Sequence, residues 1–229
     1  RWGMNLKEKL KGIRSNISLA QEKVGIDHAV EIVGVTKTHP FSFIEASYEA
    51  GIRSIGENRI QEASTKFESF EQMPELKKRF IGHLQSNKAK KCVELFDSID
   101  SVGSIKTLRK IGKHARQLKK EISILIEINT SQEPQKHGFL PAQKNEVLEC
   151  LFEDGLSIEG LMTVGPNTSD QGKVRTSFCE LRKTKEWLEV QGKLKLKHLS
   201  MGMSGDYKIA IEEGSTMVRV GSLLYGSRT

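Results

Sequence analysis

Residues 198–228 read HLSMGMSGDYKIAIEEGSTMVRVGSLLYGSR and contain one pattern twice. Each apolar strand candidate, 197–200 and then 216–220, runs into a loop of small residues, 202–206 and 221–222. Small residues let a ligand approach the backbone closely, and N–H groups together with serine hydroxyls suit a phosphate. Between the loops lies a helix candidate, residues 206–213, which Asp206 is placed to cap and Gly214 to end. The stretch predicts a phosphate site at two strand ends; the alternative is a pair of Gly/Ser turns beside a structural arginine, Arg219.

The same alternation of short apolar runs and helical segments extends over the whole chain. An amphipathic helix is predicted first, over residues 4–24, and Gly25 ends it. Strands are then predicted at 31–36, 53–56, 79–82, 98–102, 123–128, 157–162, 197–200 and 216–220. Helices are predicted between them at 42–50, 59–70, 87–95, 104–119, 141–153, 170–191 and 206–213. Eight strands and seven crossover helices predict an α/β fold, a single (β/α)₈ TIM-type barrel with an extra N-terminal helix, in one domain over residues 1–229. An open doubly wound sheet is the alternative.

Composition limits the classes of function. The three cysteines form no CxxC pair, so we expect a reducing compartment, no structural zinc and a cytoplasmic protein. No apolar run reaches the roughly 18 residues of a membrane span, and no membrane association is expected. The net charge of +7 favours anionic ligands. Basic residues are scattered, however, and we interpret the densest patch, 88–91, as a solvated helix face, so no nucleic-acid partner is expected.

Lys37 is the strongest candidate for chemistry. It follows the apolar run 31–36 at a strand end, on the face where the loops of such a barrel form the active site. Burial there can lower the pKa of an amine, and an unprotonated amine forms a Schiff base with an aldehyde. An amine facing a phosphate site suggests either pyridoxal phosphate (PLP) or a sugar phosphate in an aldolase. Histidines are few and no HExxH motif occurs, so no metal site is predicted. Asp97, Asp100 and Glu127 are expected in capping and surface roles.

Several motifs, in the right order along essentially the whole chain, resemble the YggS/PROSC family of pyridoxal phosphate homeostasis proteins. The motifs are VTKTHP at 35–40, GEN at 56–58 with QE at 61–62, FIGHLQSNK at 80–88, KHGF at 136–139, GLM at 160–162 and the stretch 198–228. Members of that family are single barrels similar to the N-terminal domain of alanine racemase, the PLP fold type III. The resemblance implies PLP as cofactor and a role in vitamin B6 homeostasis.

The resemblance also implies roles for individual positions. Lys37 matches the lysine that holds the cofactor as a Schiff base, and Arg219 the arginine beside the pyridine nitrogen. The phosphate-binding positions are Ser204, Gly221 and Ser222, and the motif positions near the cofactor are Asn58, His83 and Met201. The sequence departs from the family pattern at His39, Arg59 and Arg79, which we place beside the site.

A carrier is favoured over an enzyme, and no catalytic residue is assigned. A permanently cationic arginine disfavours protonation of the pyridine nitrogen, which weakens the cofactor as an electron sink. The racemase-like enzymes add a tyrosine base from a second domain, which we do not expect here, and none of Tyr48, Tyr207 and Tyr225 is obviously placed as that base. We therefore expect a monomer that buffers PLP and can deliver it to apo-enzymes. The alternatives are a PLP-dependent racemase-like enzyme and, more weakly, a Schiff-base aldolase.

Overall fold

Eight parallel strands form a closed ring in the order of the sequence. The computed structural model describes residues 2–227, with side chains from residue 5 onward. The strands are β1 (Glu31–Val35), β2 (Ser54–Glu57), β3 (Lys77–Phe80), β4 (Ser98–Val102), β5 (Ser123–Glu127), β6 (Ser157–Met162), β7 (His198–Ser200) and β8 (Met217–Val220). The ring closes because β8 pairs with β1, with Glu31 opposite Met217 and Val33 opposite Arg219. The predicted (β/α)₈ barrel is therefore confirmed, and the open sheet is excluded.

Helices alternate with the strands and cover the outside of the ring. In the described part of the chain they are α1 (Trp2–Val24), α2 (Phe41–Glu49), α3 (Ile60–Lys66), α4 (Ala89–Leu95), α5 (Ile105–Leu118), α6 (Lys144–Cys150), α7 (Gln171–Gly192), α8 (Tyr207–Glu212) and α9 (Ser222–Tyr225). None of the helices within residues 2–227 is both long and apolar enough to cross a membrane. The single-domain expectation for residues 1–229 stays a prediction, and Arg1, Arg228 and Thr229 lie outside the described residues.

The extra N-terminal helix is present and packs on the last part of the barrel. Its buried stripe, which includes Leu6, Leu10 and Ile13, joins a core cluster with residues of β8, α8 and α9. Gly25 follows the helix with φ of 72°, a left-handed conformation that glycine adopts without steric cost. The apolar spacing that predicted α1 therefore marks the face that covers β8 and its neighbours.

The inside of the barrel has an apolar layer between two polar ends. Val33, Leu125, Met162 and Met217 form one buried cluster, although they come from β1, β5, β6 and β8. Residues from strands on opposite sides of a ring meet only in its interior, so these four side chains fill the middle of the barrel. The apolar layer separates the carboxyl ends of the strands, where the candidate site lies, from the amino ends.

A buried ion pair occupies the amino-terminal end of the barrel. The Arg79 guanidinium lies 3.2 Å from a carboxylate oxygen of Asp100 and donates to Ser54 Oγ at 3.1 Å. Both charged side chains are almost fully buried. Two expectations are thus wrong: Asp100 is not a surface residue, and Arg79 is not beside the candidate site. The reason is that β3 begins at Lys77, two residues before the predicted start, so Arg79 lies inside the strand.

Candidate functional site

Three adjoining strands, β7, β8 and β1, end around one cavity of about 470 Å³. Its lining includes five residues that the sequence singled out: Lys37, Ser204, Arg219, Gly221 and Ser222. The remaining lining residues are Val35, His39, Met203, Gly205 and Gly226. The lining thus combines an amine, a guanidinium, an imidazole and two hydroxyls, and none of the lining residues that the structure describes carries a carboxylate. Such a set of hydrogen-bond donors suits an anionic ligand.

Lys37 reaches the cavity because it follows the end of β1, separated from Val35 only by Thr36. It is half-buried, between the fully buried Thr36 and the exposed Thr38. Three residues earlier, Gly34 lies so close to the hydroxyl of Tyr225 that a Cβ there would overlap it. Only a glycine lets β1 and Tyr225 approach in this way, and Tyr225 is the last residue of α9. The strand that leads to Lys37 is therefore packed directly on the helix that carries Ser222.

The loop after β7 forms one wall of the cavity and depends on a second glycine. Gly202 has φ of 105°, and a Cβ there would lie 2.7 Å from Cβ of Ala210. The Met203 N–H donates to Oδ1 of Asp206 at 2.7 Å, which tightens the turn. Asp206 occupies the N-cap position of α8 but makes no side-chain hydrogen bond to that helix. The expected capping role of Asp206 is thus wrong, because its carboxylate closes the loop instead.

The loop after β8 lines the same cavity through α9, a single helical turn that the sequence patterns did not predict. The turn is closed by the N–H groups of Leu224 and Tyr225, which donate to the Gly221 carbonyl at 3.0 and 2.9 Å. The Leu223 N–H donates to Ser204 Oγ at 3.4 Å, which links the two loops. Ser204, Gly221 and Ser222 consequently lie on adjacent walls of the same cavity.

Arg219 is held rigidly at the cavity floor. Its side chain donates from Nη1 to Ser200 Oγ at 2.7 Å and from Nη2 to the Thr163 carbonyl at 2.8 Å. Only 4% of the residue is exposed. A guanidinium stays protonated in proteins and cannot accept a hydrogen bond, so Arg219 presents a fixed positive charge.

Glu127 is a buried carboxyl near that charge. Burial raises the pKa of Glu127 to about 7, although the positive charges of Arg219 and Lys136 act in the opposite direction. The residue is 8% exposed, so the surface role expected for it is wrong. It ends β5, whose side chains alternate between the inside and the outside of the barrel, and this alternation places it inside.

Comparison with known proteins identifies the family. The family described as "Alanine racemase, N-terminal domain" matches residues 9–229. A relative from Synechocystis, named "Pyridoxal phosphate homeostasis protein", is 40% identical over 201 residues, which cover 87% of this chain and 92% of the relative. An Aquifex aeolicus protein of the same name is 36% identical and covers 98% of this chain and 99% of its own. The chain belongs to the pyridoxal phosphate homeostasis protein family.

Solved structures agree with the fold of this homeostasis family member. PipY of Synechococcus elongatus PCC7942, solved without PLP and with PLP bound, superposes with TM-scores of 0.86 and 0.85 at 34% and 33% identity. Both PipY comparisons cover 96% of this chain and all of PipY. Alanine racemase of Clostridium difficile, at 19% identity and a TM-score of 0.75, shares the fold over 97% of this chain and 59% of its own.

Three residues that the resemblance suggested for this family member do not line the cavity around Lys37. Asn58 and His83 border a neighbouring cavity of about 380 Å³ instead. Asn58 follows β2 and His83 follows β3. In the ring, β1 lies next to β8, whereas β2 and β3 are one and two strands farther away. Met201 is fully buried in the hydrophobic core. The geometry therefore gives no support to these three as cofactor contacts.

His83 has a clear structural partner. Its ring stacks on the ring of His137, with centroids 3.7 Å apart. Partial burial and the neighbouring His137 lower the pKa of His83. No group of three histidine, cysteine or acidic side chains within the described residues is placed to hold a metal ion.

Some residues that line the cavity around Lys37 were not predicted as site residues. His39 lines it and stacks on Phe43, with ring centroids 4.4 Å apart. Its position two residues after Lys37 was visible in the sequence, but only as a departure from the family pattern. Met203 and Gly205 belong to the predicted small-residue loop, so the loop itself was a sufficient signal for them.

Proposed function

We propose that this protein binds PLP through Lys37 as a Schiff base and takes part in PLP homeostasis as a buffer or carrier, without substantial catalysis of its own. One observation carries the proposal: Lys37, Arg219 and both predicted serines line a single cavity. The name shared by the relatives and the PipY structure with PLP bound support it.

The residues present fit this cofactor. Its phosphate needs several hydrogen-bond donors and no nearby carboxylate, and Ser204, Ser222 and the backbone at Gly221 supply such a wall. Its aldehyde needs an amine, which Lys37 supplies from the end of β1, the strand that pairs with β8. A cavity of about 470 Å³ is within the size range of small-molecule sites. When bound, PLP supplies an aldehyde that condenses reversibly with an amine and releases water.

The residues that line the cavity then have distinct roles. Lys37 holds the aldehyde carbon covalently, and the two serines bind the phosphate and fix its position. Arg219 is already held by Ser200 and Thr163, so it does not need to reorganise when a ligand enters. Its fixed positive charge disfavours a proton on any basic nitrogen placed beside it, and so weakens the cofactor's capacity to accept electrons.

The positions of the tyrosines support a carrier over a racemase-like enzyme. Within the described residues, no tyrosine lines the cavity. The Tyr48 hydroxyl donates to the Pro74 carbonyl, the Tyr207 hydroxyl accepts from Asn16, and the Tyr225 hydroxyl is bonded to Ser47. A proton-transferring base in the position expected of racemase-like enzymes is therefore not supplied by these side chains. Apo-enzyme recipients, the monomeric state and the cytoplasmic location stay predictions.

The test is a visible absorption spectrum with added PLP, for the wild type, Lys37→Ala and a control, Lys106→Ala, at an exposed lysine. We expect a yellow Schiff-base band in the wild type and the control, and none in Lys37→Ala. Borohydride reduction followed by peptide mapping should place the cofactor on Lys37. An unchanged band in Lys37→Ala would refute the assignment of the lysine.

The carrier part is tested separately, with the same loaded proteins and L-alanine. We expect no conversion to D-alanine above the rate of free PLP. Conversion that depends on Lys37 would leave the cofactor assignment intact and replace the carrier by the racemase-like alternative.

A further inference from the structure

A buried charged cluster lies outside the barrel, between the ends of β1 and β2 and helix α3. It consists of Glu57, Glu62 and Lys66, and we call it the α3 cluster. The Lys66 ammonium lies 2.7 Å from Glu57 Oε2 and 3.3 Å from Glu62 Oε2. The side chain of Glu57 is fully buried, and that of Lys66 is 9% exposed. None of the three residues lines the cavity around Lys37, so the proposed function gives them no task.

The α3 cluster bonds to both chain neighbours of Lys37. On one side, Thr36 Oγ1 donates to Glu57 Oε2 at 2.5 Å, and Lys66 Nζ donates to the Thr36 carbonyl at 3.0 Å. On the other side, the Thr38 N–H donates to the two carboxylate oxygens of Glu62 at 3.0 and 3.1 Å. The backbone is thus fixed immediately before and immediately after the reactive lysine.

The second contact holds a backbone conformation that is otherwise unfavourable. Thr38 has φ of 68°, in the left-handed region. A β-branched residue is a real outlier there, and such conformations persist only where the surroundings hold them. Glu62 supplies that restraint through a charge-assisted hydrogen bond to the Thr38 N–H.

Stability alone is a poor explanation for the α3 cluster. Burying charges costs desolvation energy, and well-packed apolar side chains of similar volume often serve stability equally well or better. One oxygen of Glu57, Oε1, is buried without a hydrogen-bond partner among the described residues. Burial raises the pKa of Glu57 to about 7, so ionising this group in the fold is costly. A polar network retained at such a cost is best explained by the geometry that it imposes.

We propose that Glu57, Glu62 and Lys66 are positioning residues that set the direction in which Lys37 leaves β1, and with it the reactivity of the Lys37 amine. The inference rests on the proposed function, in which that amine reacts with the cofactor's aldehyde.

The test uses Glu62, because it is partly exposed and its substitution leaves the 2.7 Å contact between Glu57 and Lys66 in place, although Lys66 loses its second, longer contact. Glu62→Met removes the acceptor for the Thr38 N–H, whereas Glu62→Gln keeps a neutral acceptor of the same shape. Glu68→Met, at an exposed glutamate shortly after α3, is the matched control. Thermal unfolding of all four proteins without cofactor shows whether they are folded.

The first readout needs no cofactor. Ligand-free protein is treated with a trace of acetic anhydride, and the acetylation of Lys37 relative to the exposed Lys106 is measured by peptide mapping. Because a hydrogen bond to a charged group is lost, we expect Glu62→Met to change this ratio by about tenfold. Glu62→Gln should stay within about threefold of the wild type, since it keeps a neutral hydrogen bond. The second readout is the rate at which each protein forms the Schiff-base band with PLP, for which we expect the same ranking.

Two outcomes would overturn the inference: a wild-type acetylation ratio in a folded Glu62→Met protein, or a change in Glu62→Gln as large as that in Glu62→Met. Because acetylation involves no PLP, failure of the proposed function would appear only in the second readout. The two failures are therefore distinguishable.

Discussion

Replacing Gly34 by alanine should lower the free energy of unfolding by about 2–3 kcal/mol, because the new methyl group would overlap the Tyr225 hydroxyl. Overpacking costs about 1–3 kcal/mol, and displacement of the hydroxyl from Ser47 about 0.5–1.5 kcal/mol more. Alanine also restricts the unfolded chain more than glycine does, which offsets about 0.4–1 kcal/mol of this loss. The hydroxyl cannot move aside easily, because Tyr225 is 7% exposed and its oxygen lies 2.6 Å from Ser47 Oγ.

The structure also predicts a specific rescue by Tyr225→Phe. Without the hydroxyl, the nearest ring atom would be Cζ, 3.4 Å from the new methyl group, which is an ordinary contact. Tyr225→Phe alone should cost only about 1 kcal/mol, since Ser47 Oγ still donates to the Phe43 carbonyl. In the Tyr225→Phe background, Gly34→Ala should therefore lower the free energy of unfolding by at most about 1 kcal/mol. The coupling energy between the two substitutions is then about 2 kcal/mol.

Urea unfolding of the four proteins without cofactor measures this cycle. Gly12→Ala is a suitable control, because Gly12 lies on the exposed face of α1 with nothing within 4 Å of an added Cβ. It should stabilise the protein by up to about 1 kcal/mol. Additive effects of Gly34→Ala and Tyr225→Phe, or a Gly34→Ala protein as stable as the wild type, would refute the reasoning.

Three further predictions concern the interior. The folded state raises the pKa of Glu127 from 4.5 to about 7. The protonated group therefore contributes its full stabilisation below about pH 4.5, and this contribution is lost as the pH rises to 7. In urea titrations, the free energy of unfolding of the wild type should decline by about 3 kcal/mol across that range, and Glu127→Gln should remove this decline. Gly202→Ala should weaken PLP binding and lower the melting temperature in calorimetry, because φ there is 105° and the methyl group would meet Ala210. Arg79→Met should cost about 3–5 kcal/mol in urea unfolding by leaving Asp100 unpaired, and adding Asp100→Leu should recover most of it.

The order of the strands and most of their ends could be predicted from the sequence. The apolar runs predicted every strand except β3 to within one residue at each end. By contrast, β3 begins earlier than predicted, at Lys77, whose ammonium donates to Ser123 Oγ at 2.7 Å. Helix α3 ends at Lys66 instead of continuing to residue 70. Phe67 instead adopts an extended conformation with ψ of 130°, and its ring packs against that of Phe70, with centroids 5.1 Å apart.

Some parts of the candidate site could likewise be predicted from the sequence, and others could not. Lys37 and the loops after β7 and β8 could be placed together because, in a closed barrel, the first strand adjoins the last. Asn58 and His83 could not be separated from them, because the motifs show which strand end a residue follows but not how far round the ring it lies. The contact between Glu62 and Thr38 has no signal in composition or periodicity, since it joins a helix to a loop 24 residues away.

The pairing of β1 with β8 links ligand binding to the folding and the degradation of the chain. During synthesis, Lys37 leaves the ribosome long before Arg219 and Ser222, so the proposed binding site cannot form until β8 pairs with β1. A ligand that contacts residues of both β1 and β8 stabilises the pairing of these two strands. At a hundred times its dissociation constant, such a ligand adds about 2.7 kcal/mol against opening of the ring. If PLP binds there as proposed, degradation of the protein should therefore slow when PLP is plentiful, so that the abundance of the protein follows that of its ligand.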